Sequence, residues 1–330
     1  MELSTYRYDG TGAFSLDAFP TSEHVDKGLK KQYEKKLAEN TARIAELQDK
    51  LYAQGTEGVL VVIQAMDAAG KDGAIKHVMS GVNPQGVNVV NFKTPNKTEL
   101  AHDYLWRCIL GLPERGKIGI FNRSHYEDVL VVRVHEMWKG YKWPKRCFDM
   151  SEDEFFEKRF KQINNFEEYL FENGYRIVKI FLNISQEEQK QRFIARIDEA
   201  EKNWKFSIGD VDESESWPKY MHAYESMIAG TGTACAPWHV IPADQKWVAR
   251  VLVSEAIIEA LEAIDPQYPA LPEDELAKFP GYRARLVGDD PEDEQSLKKA
   301  KEAMAENSEK KREKNEKKKK DKKAKKSDKE

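Results

Sequence analysis

The chain has 330 residues, 40 % hydrophobic and 33 % charged, with a formal net charge of −4 and a mean hydropathy of −0.73. Its longest apolar run, Val59–Ile63, is far short of the ~20 residues that cross a bilayer, so no membrane association is expected. Three cysteines, Cys108, Cys147 and Cys235, lie 39 and 88 residues apart without C-x-x-C spacing, which argues against a disulfide framework or Cys-rich zinc site and suits a reducing cytosol.

The charge is uneven. Residues 298–330 hold 16 Lys/Arg against 8 Asp/Glu, a net +8, leaving −12 on residues 1–297. The N-terminus, MELSTYRYDG, has neither a basic n-region nor an apolar h-region, so a cytoplasmic protein is expected. Residues 1–22 carry Gly, Pro and Ser without a sustained period and read as a loosely ordered arm. From Glu23 to Ala53, Leu29, Tyr33, Leu37, Ile44, Leu47 and Leu51 recur at helical spacing, which predicts a helix with one buried face. Arm and helix make a first segment, 1–57.

Short apolar runs follow at Gly58–Gln64, Val87–Phe92, Ile118–Asn122, Arg176–Ile184 and His239–Pro242. Helical periods lie between and after them, at Ala74–Met79, Glu99–Ile109, Glu152–Glu172, Gln186–Ile197 and Trp247–Ile264. Strands alternating with helices imply βαβ units and a doubly wound parallel sheet over residues 58–265. Residues 266–295, rich in Pro, Asp and Glu, read as a surface-wrapping segment. The Lys-rich tail, 296–330, has almost nothing to bury and reads as disordered or as a fraying helix.

The strongest chemical signal follows the first strand: Ala65-Met-Asp-Ala-Ala-Gly70-Lys71-Asp72-Gly73. An anion-binding loop needs small residues, a Lys and a helix N-terminus behind it. Gly70-Lys71 fits G-x-x-x-x-G-K-[ST], whereas Ala65 replaces the first Gly and Asp72 the Ser/Thr. The alternative is a glycine-rich turn with a solvated Lys. Asp67 and Asp72 would repel phosphate unless a cation lay between, which points to magnesium.

A second cluster, Phe121-Asn-Arg123-Ser-His-Tyr-Glu127-Asp128, follows the Ile118–Asn122 strand, where parallel sheets bind ligands. Ser124 and Glu127 have capping-box spacing, so capping alone is the competing explanation. Arg123 is placed to reach a phosphate, with Arg133 as an extension of the same basic wall. His125 and His135 have no metal-ligand spacing and read as packing or surface residues. A third cluster, Arg192, Arg196, Lys202 and Lys205 before Trp217, Tyr220 and Tyr224, suits a basic lid over about 190–230, or else a solvated basic face. Trp238 reads as core, and Asp244 as a helix cap.

Together these motifs resemble the polyphosphate kinase 2 family. The carrying segments are Ala65–Gly73, Ile75–Gly86, Asn122-Arg-Ser-His-Tyr-Glu-Asp128, Asn203-Trp-Lys-Phe-Ser207 and Ala236–Asp244, in order from about Gly58 to Arg250. The resemblance implies a P-loop kinase-like α/β/α fold with a parallel sheet and a helical lid. It implies phosphoryl transfer between inorganic polyphosphate and nucleotides, AMP to ADP and ADP to ATP, with Mg2+ or substituting Mn2+.

By this resemblance Asp67, Lys71, Asp72 and Arg123 are the catalytic set, with Asp67 the metal residue. Ala68, Ala69 and Gly70 offer backbone N–H groups to phosphate, joined by Glu127 and Arg133. Lys76, Arg192, Arg196 and Lys205 hold the polyphosphate chain. ADP-preferring members begin the second motif with Asp and carry Asn near Glu127; this sequence departs from them and is similar to members that accept both AMP and ADP. A homo-oligomer is expected, with no nucleic-acid partner. The competing functions are an ATP-dependent nucleoside monophosphate kinase and a non-enzymatic phosphate- or nucleic-acid-binding module working through the tail. The −12 body argues against the latter.

Overall fold

The computed structural model describes residues 2–327, giving the backbone alone for Arg312 and 315–327. Two compact units are present, Met1–Tyr268 and Pro269–Glu330. The first is built on a six-stranded sheet: β1 (Arg7–Tyr8), β2 (Gly58–Ala65), β3 (Val87–Asn91), β4 (Ile118–Asn122), β5 (Tyr175–Asn183) and β6 (Trp238–Pro242). Its order is β1-β6-β5-β2-β4-β3, with every pairing parallel except β1 against β6.

All eight residues of β2 are buried, as a strand covered on both faces requires. The helices supply that cover. On one side are α1 (Lys30–Gln54), α2 (Lys71–Val78) and α10 (Lys246–Ile264), mutually packed, with α10 lying on β2, β5 and β6. α6 (Glu152–Glu172) packs on β5 and against α9 (Trp217–Thr231), forming the other layer. Between these lie α3 (Lys97–Leu100), α4 (Trp106–Leu110), α5 (Val131–Val134), α7 (Gln186–Asp198) and α8 (Ile208–Glu215).

Several expectations change in detail. The arm is not loosely ordered throughout: Arg7 and Tyr8 pair with His239 and Trp238, and Tyr6 and Leu16 are buried. The helix expected over Glu99–Ile109 is two short ones, because Asp103 caps the amide of Leu105 and restarts the chain. The segment after Ser124 is a 3-10 turn, His125–Val129, before the four residues of α5. Asp244 does not cap α10; its carboxylate accepts from the Ser185 amide at 2.8 Å and the Thr21 hydroxyl at 2.9 Å. The second unit contains α11 (Glu273–Val287) and α12 (Glu294–Ser327), so the tail takes the helical alternative over that span. Residues 328–330 lie outside the described residues. Among the described residues no helix is long and apolar enough to cross a membrane.

A lysine stands in the middle of the core. Lys179 on β5 is fully buried, and its ammonium donates to Glu167 Oε2 at 2.6 Å, to the Tyr126 hydroxyl at 3.1 Å and to the Thr231 carbonyl. Glu167 Oε1 also accepts from the Tyr126 hydroxyl at 2.6 Å. Burial lowers the Lys179 pKa and penalises the Glu167 charge, but the attraction of Lys179 prevails and holds the Glu167 carboxyl below its ordinary value. The network ties α6, the turn after β4 and the end of α9 to the sheet. Lys179→Met should therefore strand a buried carboxylate and cost about 3–5 kcal/mol. Adding Glu167→Gln should recover part of that loss, read from urea-unfolding midpoints by circular dichroism.

Candidate active site

The cleft opens where β2 and β4 end side by side. The connection leaving β2 crosses β4 to reach β3, whereas the chain from β4 returns past β2 to β5. Loops diverging from adjacent strands leave the crevice in which open α/β sheets bind ligands.

After Ala65 the chain turns through Ala68, at φ +63°, and Gly70, at φ +111°, into α2. At +111° a side chain is strained, so glycine belongs there. Every carbonyl of the loop is engaged. Lys71 Nζ donates to Ala65 O at 2.8 Å and Met66 O at 3.3 Å. Gln189 Nε2 donates to Asp67 O at 3.0 Å, and Arg192 Nη1 to Ala68 O and Ala69 O at 3.0 and 2.6 Å. Gly70 O accepts from the Ala74 amide at 2.9 Å. The first amides of α2, from Lys71 onward, have no intrahelical partner by the geometry of a helix start. With the carbonyls turned away, the amide face of the loop is an anion cradle.

Arg123 sits just past β4 with φ +64°, and its amide extends the β2–β4 pairing onto Ile63 O at 3.2 Å. The left-handed conformation costs a non-glycine about 1–2 kcal/mol. It turns the guanidinium back over β2, where Nη2 meets Asp67 Oδ1 at 2.7 Å and Nη1 meets Glu127 Oε2 at 3.4 Å. Lys71 Nζ is 4.0 Å from Asp67 Oδ1. Burial works to raise the Asp67 pKa, but Lys71 and Arg123 outweigh it and the carboxyl is held low. Burial dominates at Glu127, whose carboxyl is raised despite Arg123 and Lys71. Gln64, oriented to satisfy its neighbours, donates to Glu127 Oε1 at 3.0 Å and accepts from Ser124. Asp72 Oδ1 accepts from Asn122 Nδ2 at 2.7 Å.

These groups line a cleft of about 970 Å³ with nine Lys/Arg and two Asp on its walls. Asp67, Lys71, Asp72, Arg123, Arg196 and Lys205 all face it, as do Ala68, Ala69 and Gly70. Three cations that motif reading missed join them: Lys93, Lys246 and Arg250. Each is isolated in the sequence. Lys93 and Lys246 share one readable feature: they follow the C-terminal ends of parallel strands β3 and β6, as Lys71 and Arg123 follow β2 and β4. Burial lowers the Lys246 pKa, and Arg192, Lys202 and Arg250 lower it further, outweighing the opposing pull of Glu188. Beyond the Asp67–Arg123 pair lies a recess of about 30 Å³ lined by Glu127, Gln189, Glu213, Tyr220 and Tyr224. Gln189 Oε1 and Glu213 Oε2 are buried without a partner.

Four expected roles meet a different geometry. Ala69 gives its amide to Met66 O at 3.2 Å, so that N–H closes the turn. Arg133 pairs with Glu152 at 3.5 Å and Asp153 at 3.1 Å, lies over the Phe156 ring, and does not line the cleft. Lys76 is exposed on α2 and does not line it either. Arg192 is a correction of another kind. Besides Ala68 O and Ala69 O, it donates to Ala243 O, Asp244 O and Glu188 at 2.7, 2.9 and 2.8 Å, which commits all five of its N–H groups. It is a strut between the loop and the turn before α10, with no donor left for a polyphosphate chain.

A strand–loop–helix anion cradle on a parallel sheet, facing a cationic cleft, defines a P-loop kinase-like phosphotransferase. The chain matches the family model described as polyphosphate kinase 2 (PPK2) over residues 27–269. It is 48 % identical over 256 residues to an ADP-polyphosphate phosphotransferase of Rhodopseudomonas palustris, covering 77 % of this chain and 88 % of that one. It is 44 % identical over 268 residues to an AMP/ADP-polyphosphate phosphotransferase of Meiothermus ruber, covering 81 % and 96 %. The crystal structure of polyphosphate kinase 2 from Arthrobacter aurescens TC1 superposes with a TM-score of 0.75 at 40 % identity, over 84 % of this chain and 96 % of that one. The chain belongs to the polyphosphate kinase 2 family and is a polyphosphate-dependent nucleotide kinase.

If Arg192 is a strut, Arg192→Lys keeps the charge but loses the fork. kcat should fall roughly 10²-fold, the scale of a 1 Å misplacement, while KM for polyphosphate changes little. A chain-holding residue would give the opposite split in steady-state kinetics.

Proposed function

We propose that this enzyme transfers the terminal phosphoryl group of inorganic polyphosphate to both AMP and ADP, giving ADP and ATP. The observation that carries this reading is the cleft whose walls hold eight cations besides the Arg192 strut, with two carboxylates. One triphosphate does not need so long a positive wall. A linear polyanion does, and such charge is neutralised only by a matching run of cations.

The terminal phosphate of the donor rests on the amides at the start of α2, with Lys71 released from the loop carbonyls to reach it. Arg123, held by Asp67 and Glu127, stands between this cradle and the small recess, where it meets the transferring group. The acceptor phosphate approaches from the recess side, in line with the donor. Arg196, Lys205, Lys246 and Arg250 carry the rest of the chain. The unpartnered oxygens of Gln189 and Glu213 suit hydroxyl or amino hydrogens of the nucleoside. The recess is too small for a nucleotide in this state, so α8 and α9 move to admit one.

Magnesium, with manganese as substitute, fits the donor set. Among the described residues no group of three or more His, Cys, Asp or Glu could hold a metal ion. Magnesium instead takes one or two carboxylates with phosphate oxygens and water. Asp67 and Asp72 both face the cleft and would provide those carboxylates. The ion, when bound, neutralises phosphate oxygens and orients them.

The test is donor exchange on nucleotide-free enzyme. With magnesium, AMP and polyphosphate should give ADP, and ADP and polyphosphate should give ATP. Products are followed by chromatography and corrected for 2 ADP ⇌ AMP + ATP. No ADP from polyphosphate, with rapid transfer from ATP, would make this an ATP-dependent monophosphate kinase.

The acceptor range is tested separately at Glu127. This carboxylate lies on Arg123 at the acceptor side and is held up in pKa by burial. Glu127→Asn should lower the ratio of AMP to ADP phosphorylation severalfold in initial-rate assays, and an unchanged ratio would leave Glu127 as a brace for Arg123.

A further inference from the structure

The N-terminal arm meets the body in two different ways. Tyr6 and Leu16 are buried and β1 covers the edge of β6, which is what an arm kept only for packing would do. Residues 19–25 bind through polar contacts instead. Asn183 Nδ2, at the end of β5, donates to Phe19 O at 3.1 Å and Pro20 O at 3.3 Å. The Thr21 hydroxyl donates to Asp244 Oδ2 at 2.9 Å, and the Asp244 amide donates back to Thr21 O at 3.0 Å. The Val25 amide donates to Gln245 Oε1 at 3.1 Å, and Gln245 Nε2 to Val25 O at 2.7 Å. All of these bonds fall on three residues, at the C-terminal end of β5 and in the turn after β6. None of residues 19–25 lines the cleft.

That turn is the far anchor of Arg192. Its Nη2 donates to Ala243 O and Asp244 O, while Nη1 holds Ala68 O and Ala69 O in the phosphate loop. Asp244 also reaches the helix that carries Arg192. Its Oδ1 accepts from the Ser185 amide at 2.8 Å, and the Ser185 hydroxyl caps α7 by accepting from the Glu188 amide at 3.2 Å. One residue thus joins the arm through its carboxylate and amide, α7 through the same carboxylate, and the guanidinium through its carbonyl. Surface turns are the mobile parts of a fold, and the two-way bonds from Thr21 and Val25 remove that freedom. A guanidinium is planar, with its donors in fixed directions. A shift of the 243–244 carbonyls is therefore passed to Ala68 and Ala69, whose oxygens must stay turned away for the loop amides to face an anion.

We propose that the N-terminal arm is a positioning element of the active site: through Thr21 and Asp244 it fixes the turn that sets the Arg192 fork, and with it the phosphate loop. This rests on the loop as the seat of the donor phosphate, as proposed above. The arm lies outside the family match, which begins at residue 27. Because it touches no part of the cleft, its contribution falls on kcat and not on capture of the donor.

The test is a double-mutant cycle in the full chain, pairing Thr21→Val with Arg192→Lys. Thr21→Val keeps the shape and removes the hydroxyl. Its kcat should fall roughly tenfold, the scale of one lost hydrogen bond to a charged group, with little change in KM for polyphosphate. Thr21→Ser should retain kcat. In the Arg192→Lys background Thr21→Val should cost little further, because the route to the loop is already broken. Urea-unfolding midpoints by circular dichroism report stability separately for each protein. A Thr21→Val enzyme with a lowered midpoint and normal kcat would make the arm a packing element and overturn the proposal. An equal fold-loss of kcat in both backgrounds overturns the route through Arg192, and a raised KM at unchanged kcat overturns positioning in favour of donor binding. Full kcat in Arg192→Lys alone would show that the loop is not the seat of the donor phosphate, and the proposal falls with it. Loss in Arg192→Lys with a normal Thr21→Val rejects the arm alone.

Discussion

The site depends on where the carbonyl oxygens of one loop point. A backbone that is to hold an anion must face it with amides, and each peptide in Ala65–Gly70 brings an oxygen of opposite polarity. Here all six oxygens have a donor: Lys71 for two, Arg192 for two, Gln189 for one and the Ala74 amide for one. Arg192 matters most, because its fork also grips the turn before α10. A point charge could neutralise the loop but could not reach both sides in fixed directions. Arg192 lies on α7, so that helix, the loop and the turn before α10 share one fastener.

Charge is organised on the same logic at two depths. In the core, the Lys179–Glu167 pair and the Tyr126 hydroxyl form a saturated network that holds the turn carrying Arg123. In the cleft the balance is deliberately incomplete, with cations in excess and Lys246 depressed by burial and by its like-charged neighbours. On the function proposed above a polyanion completes that balance, and the difference separates a structural ion network from a binding site.

Much of this was legible in the sequence. Largely apolar runs mark β2, β4, β5 and β6 because strands covered on both faces admit little else, and the limits of α6 follow from its helical period. The loop and Arg123 were legible because their residue types follow directly on strands. Arg192 was read as a ligand residue because nothing local distinguishes a guanidinium aimed at phosphate from one aimed at carbonyls; partners more than 50 residues away decide it. Lys93, Lys246 and Arg250 were invisible for a related reason, since only the strand order gathers them. The pairing of Arg7–Tyr8 escaped because two residues have no period.

That short pairing has a consequence for how the molecule comes into being. β1 leaves the ribosome first, yet Arg7 pairs with His239 and Tyr8 with Trp238, on the last strand to be made. Until β6 emerges, β5 is an open edge and the arm has no partner, although β2 to β5 already have one another to pair with. Contacts between such distant segments form slowly, and exposed edges invite association with other chains. The turn after β6 also carries the carbonyls that anchor Arg192. A chain interrupted before Trp238 therefore has neither a sealed sheet nor a braced loop, and both arrive only late in translation.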